Sequence, residues 1–171
     1  MPRGKSNNYN YYYPQRSKVV ANRNKYSTQT YLVRNTGELQ AGSSQYFTVV
    51  PPTDVAGKRK VKNISIQLAF DSTVTGAIDA DASVYWCIVY VPKGSVPGAI
   101  GHLNGIFYTP PQFIMSSGIY NVKNPGNTAR IFTPLSRNLN EGDGIAFVYT
   151  SDYKMIASQL SAVINYAITL Q

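Results

Sequence analysis

The sequence predicts an all-β fold: a single eight-stranded antiparallel jelly roll of two packed sheets, behind a flexible basic N-terminal arm. Three observations predict it. Apolar residues recur at a period of two in short runs rich in Val, Ile, Tyr and Phe, the spacing of strands rather than helices. Clusters of Gly, Pro, Asn and Asp separate those runs, and some of the separations are longer than a meander of hairpins needs. The charge is one-sided: residues 1 to 37 hold Arg3, Lys5, Arg16, Lys18, Arg23, Lys25 and Arg34 and no acid, hence +7 of the formal +8.

The elements follow in order. Residues 1–27 read as the arm, because a segment with almost no Val, Ile, Leu or Phe before Val19 cannot bury enough apolar surface to offset its ordering entropy. Its first part is Tyr/Asn-rich, with Tyr9, Tyr11, Tyr12 and Tyr13; its second alternates bases with Asn and small residues. Residues 28–171 read as the body, large enough to bury roughly two thirds of its unfolded surface in one core. Gln29 to Arg34 and Gln45 to Val50 alternate weakly, with Asn35-Thr36-Gly37 and Gly42-Ser43-Ser44 expected as turns. Val61 to Phe70 has the clearest period, Ile64, Ile66, Leu68 and Phe70 facing one way and Asn63, Ser65 and Gln67 the other.

Ser83 to Val91 is apolar on both faces and reads as a central strand covered on both sides. Residues 92 to 110 then form a long Pro/Gly-rich loop, a kind that is usually functional or buried in an assembly. Gln112 to Tyr120, Thr128 to Leu135, Ile145 to Thr150 and Ser161 to Leu170 complete eight candidate strands, the seventh preceded by the turn Asn140-Glu141-Gly142-Asp143-Gly144. Eight strands with long crossovers suit a jelly roll; an up-and-down barrel is the alternative, and a five-stranded OB-fold has too few.

Catalytic and metal chemistry find little to work with. Cys87 is the one cysteine, placed mid-strand where a thiol is inert, and His102 is the one histidine, far away in the loop. A cupin-like metal centre needs several His and carboxylate ligands. Asp79 with Asp81, or Glu141 with Asp143, could contribute oxygen ligands to Ca²⁺, but no third carboxylate stands at a calcium-loop spacing. No cofactor fingerprint occurs, and no apolar run reads as a signal peptide or a membrane span.

The basic segments point to a polyanion. Arm cations neutralise phosphates and release counterions, and the four arm tyrosines can stack on unpaired bases at roughly 1–3 kcal/mol each. A second cluster, Lys58-Arg59-Lys60-Val61-Lys62, opens the third strand. Such a run serves as a phosphate patch or a signal for a nuclear-import receptor, or is a solvated loop.

Several stretches together resemble the capsid proteins of small circular Rep-encoding single-stranded DNA (CRESS-DNA) viruses. They are the basic arm, Val-Lys-Asn-Ile-Ser-Ile-Gln-Leu at 61–68, Tyr-Trp-Cys-Ile-Val-Tyr-Val-Pro-Lys-Gly at 85–94, Tyr-Thr-Pro-Pro-Gln at 108–112 and Leu-Ser-Arg-Asn-Leu-Asn-Glu-Gly-Asp at 135–143. The resemblance implies a jelly roll that self-assembles into a small icosahedral (T=1) shell of about 60 copies. It also implies an inward-facing arm on packaged single-stranded DNA, a structural rather than enzymatic role, and passage through a host nucleus to the virion. Many relatives carry longer, arginine-dominated arms; this one is short and diluted with Asn and Tyr. Arm electrostatics do not distinguish DNA from RNA, so a small RNA satellite virus capsid stays open. So does a non-viral single-stranded nucleic-acid-binding β-domain, with a carbohydrate-binding or enzymatic sandwich behind it.

Overall fold

Alternating apolar residues make strands where one face can be buried. The computed structural model describes residues 26–40, 42–72, 83–97, 113–121, 128–151 and 155–170. Among them are nine strands: β1 (Ser27–Leu39), β2 (Ser44–Val50), β3 (Arg59–Ser72), β4 (Ser83–Val91), β5 (Ile114–Asn121), β6 (Thr128–Thr133), β7 (Arg137–Leu139), β8 (Gly144–Ser151) and β9 (Met155–Leu170). One sheet runs β1-β9-β3-β6, with β7 continuing along β3 beyond β6; the other runs β2-β8-β4-β5.

With the three-residue β7 set aside, the antiparallel pairs nest from the outside in: β1 with β9, β2 with β8, β3 with β6, β4 with β5. A long hairpin wound into two sheets gives this nesting, so the fold is the expected jelly roll. The inner faces supply the core: Ile64, Ile66 and Leu68 of β3 and Ala162, Ile164 and Tyr166 of β9 meet Val84, Trp86 and Ile88 of β4 and Ile145, Phe147 and Tyr149 of β8. Phe147 stacks on Phe47 (centroids 4.9 Å apart) and on Trp86 (5.8 Å). Trp86 in turn lies over Gly118 of β5, where a Cβ would fall 2.6 Å from its ring. Cys87, Val89, Val91, Ala146 and Val148 form a second cluster on the opposite face of the β4–β8 sheet. That cluster is the reason β4 is apolar on both sides.

Three boundaries differ from expectation. Asn35-Thr36-Gly37 is not a turn: it continues β1, which pairs with β9 without a break from Ser27 to Gly37. A neighbouring strand that is itself long overrides the turn propensity of Asn and Gly. β9 starts at Met155 rather than Ser161, and β6 ends at Thr133, leaving room for β7, which is too short to show a period.

The decisive local feature is in β3. Its register to β9 slips between Lys62 and Ser65, and Asn63 takes the left-handed conformation at φ 54°. The bulge shifts the alternation by one residue. Downstream, Ile64, Ile66 and Leu68 face the core; upstream, Arg59 and Val61 do, so Lys60 and Lys62 face outward. Extrapolated from the downstream period alone, the two lysines would have pointed inward.

Arg59 consequently enters a polar knot at one end of the sandwich. Its Nη1 donates to the Pro51 carbonyl (3.0 Å) and its Nη2 to the Asp143 carbonyl (2.8 Å). The Asp143 carboxylate accepts from the Tyr90 hydroxyl (2.7 Å) and from the backbone N–H groups of Asn140 (2.8 Å) and Lys93 (3.1 Å). The knot ties the ends of β2 and β4 to the starts of β3 and β8.

Candidate nucleic-acid interface

Sheet one has an outward face, and the register fixes what it carries. Leu32, Val163, Gln67 and Arg130 line up across β1-β9-β3-β6; Thr30, Asn165, Ser65 and Phe132 form the adjacent row. At about 4.8 Å per strand each row is about 14 Å wide. Arg34 stands beyond the first row on β1, while Lys62, whose register partner on β9 is Ala167, stands beyond the second, with Lys60 one step further. Arg34 and Arg130 therefore mark one end of the face and Lys60 and Lys62 the other. Between them lie small polar side chains, including Thr30, whose hydroxyl donates to Asn165 Oδ1 at 2.5 Å. Phe132 is 55% exposed beside them.

Every carboxylate whose side chain is described lies elsewhere. Asp54, Glu141 and Asp143 belong to the loops after β2 and before β8, and Glu141 is paired with Lys93 at 2.8 Å. Burial alone would raise the Asp143 carboxyl, but hydrogen bonds from Tyr90, from the Asn140 and Lys93 backbone and from the Asn140 side chain outweigh it and hold the group below its ordinary value. The Asp143 carboxylate thus accepts four protein donors, three at Oδ2 and one at Oδ1. Among the described residues no group of three His, Cys, Asp or Glu side chains is placed to hold a metal ion.

The polypeptide enters the body on this same face. Lys62 Nζ lies 3.7 Å from the centroid of the Tyr26 ring, a cation–π contact that reaches over β9 from the start of β1. Tyr26, the first of the described residues, thus stands beside Lys62. Of the expected nucleic-acid ligands, Arg34, Lys60 and Lys62 share the face, and Lys58 is exposed just ahead of β3. Arg59 departs from the group: it is 7% exposed and its guanidinium holds two carbonyls. Arg3, Lys5, Arg16, Lys18, Arg23, Lys25 and the tyrosines Tyr9, Tyr11, Tyr12 and Tyr13 lie outside the described residues, as do Asp79, Asp81 and His102.

Arg130 was not among the expected ligands, although its alternation with buried Ile131 was readable in the sequence. Cys87 is fully buried, and burial pushes its thiol up to about 12, the state of an inert core cysteine. No helix among the described residues is long and apolar enough to cross a membrane.

No protein-family model matches the chain, and no curated protein does. Among solved structures, a chain of Cocksfoot mottle virus aligns at 12% identity and a TM-score of 0.47, covering 85% of this chain and 95% of that one. The decameric BFDV capsid protein aligns at 9% identity and 0.46, covering 86% of this chain and 100% of the other. The jelly roll itself stands on the strand order and register.

Proposed function

We propose that the chain is a viral capsid protein that self-assembles into a small icosahedral shell and packages single-stranded DNA. Its basic arm and the outer face of sheet one bind the packaged strand. The observation that carries the reading is the placement of charge. Arg34, Lys60, Lys62 and Arg130 share one sheet face, and Tyr26, which follows the most basic part of the sequence, contacts Lys62 on it. Jelly rolls serve as capsid, lectin and cupin domains. A single histidine disfavours the cupin chemistry, and a basic face suits a polyanion better than a neutral sugar.

In a shell, one arm's modest, salt-sensitive affinity is multiplied. About 60 copies would bring roughly 360 arm charges to one enclosed strand, each able to neutralise one phosphate. Lys58 and its neighbours at the opening of β3 are also the segment that a host nuclear-import receptor would read, which fits assembly in a nucleus before release of the virion.

The test is electron microscopy of the purified protein together with the nature and nuclease sensitivity of the nucleic acid recovered with it. Uniform particles protecting single-stranded DNA are expected. Deleting residues 2 to 25, short of β1 and Tyr26, should leave particles that form but lose most of that DNA. A monodisperse monomer at high concentration would overturn the reading, and protected RNA would reassign the genome.

A further inference from the structure

β1 has an open edge. Among the described residues its one strand partner is β9, so every second residue directs its backbone N–H and C=O away from the sheet. Exposed edges are ordinarily blunted by prolines, lysines, bulges or brevity. From Ser27 to Thr36, β1 has none of these: its register to β9 is unbroken, it contains no proline or acid, and Arg34 is its one charge. The other edges are less suited. β2 has seven residues and a register break between Thr48 and Val50, and its Thr48 and Val49 carbonyls accept from the Tyr31 hydroxyl. β6 has six residues, and β5 has eight with a break opposite Ile88 and Val89.

We infer that β1 pairs with β1 of a second copy, antiparallel about a two-fold axis that passes beside Leu32. Like strands related by a two-fold are necessarily antiparallel, which gives a closed, self-complementary contact. Centring on Leu32 uses the whole straight stretch, Thr28 facing Thr36 of the second copy. It also sets two Leu32 side chains, each 71% exposed in the single chain, directly against one another. Arg34 then faces Thr30, whereas a register centred on Arg34 would oppose two guanidinium groups. A shift that set an outward residue against an inward one would break the alternation of both sheets.

The pairing has a consequence for the proposed strand-binding face, and in needing two copies to meet it rests on the shell reading. Two four-stranded faces merge into one of eight strands, roughly 34 Å across at the usual spacing. Both copies of Arg34 flank the axis, and the two Tyr26–Lys62 contacts lie on either side of it. A nucleic-acid strand then meets a continuous surface rather than two separate ones.

Position-specific disulfide formation in the full-length protein tests this. Directly opposed residues have Cα atoms about 4.5–5.5 Å apart, within disulfide reach, whereas residues eight positions out of register lie about 27 Å apart. Under mild oxidation Leu32→Cys should give a covalent dimer at least tenfold faster than Thr28→Cys or Thr36→Cys alone. Mixing the Thr28→Cys and Thr36→Cys proteins should restore the fast rate. Microscopy of the same samples separates the two ideas. Particles without a Leu32→Cys dimer, or with equal rates at all three positions, overturn the β1 pairing and leave the shell intact. Protein that stays monomeric and uncrosslinked overturns both.

Discussion

Arg59 and Lys60 are neighbours of the same charge, and the bulge at Asn63 predicts opposite consequences for replacing each with methionine. Arg59 donates two charge-assisted hydrogen bonds, each contributing about 1.5–3 kcal/mol, while its buried Nε has no partner and costs about 1–3 kcal/mol. The balance is a net contribution of about 2–3 kcal/mol, so Arg59→Met should lower the melting temperature by about 8 °C for a chain of this size. Affinity for a single-stranded oligonucleotide should keep its salt dependence. Lys60→Met should change stability by less than about 0.5 kcal/mol. It should also make the slope of log affinity against log salt shallower by about 0.7, the loss of one phosphate contact. Fluorescence of Trp86 during thermal unfolding and anisotropy of a labelled oligonucleotide at several salt concentrations give the two readings. Equal destabilisation by both substitutions, or a reduced salt slope for Arg59→Met with stability unchanged, would refute the outward placement of Lys60 and the structural role of Arg59.

Three further outcomes are expected. The depressed Asp143 carboxyl contributes stability that is complete above its unfolded pKa of about 3.9 and is lost as pH falls through the lower folded value. Acid unfolding should therefore be partly flattened in Asp143→Asn, which should already be destabilised by about 2–3 kcal/mol at pH 7 because an amide cannot accept all the converging donors. Gly118→Ala drives a methyl into Trp86 and should cost about 1–3 kcal/mol with a shift in tryptophan emission; an unchanged spectrum would count against the ring's position. Cys87 should resist alkylation in the native protein at pH 8 and react once denatured, since burial both shields the thiol and suppresses its thiolate.

The strands legible in the sequence were those whose own side chains decide the matter. β3 buries one apolar row, and β4 and β8 each bury two. What escaped was set by neighbours: Asn35 to Gly37 extend β1 because β9 offers a ladder there, and β7 exists because β3 has a free side next to it. The basic character of the interface was readable as composition, but its membership was not. One left-handed residue at Asn63 sorts Lys60 and Lys62 from Arg59, and no propensity at that position announces which side of the sheet each cation takes. Arg130 entered through the pairing of β6 with β3, a contact between segments more than 60 residues apart.

The place of β9 between β1 and β3 also has a temporal side. β1 and β3 never touch as strands; each pairs with β9, which is the latest of the nine in chain order. During synthesis the earlier strands emerge tens of residues before the one that joins them, and such non-local closure is slow. Thr30 cannot meet Asn165, nor Tyr26 reach across to Lys62, until β9 has docked. The sheet surface proposed to hold nucleic acid therefore comes into being only after β9 has been made, later than the basic N-terminal segment of the same chain.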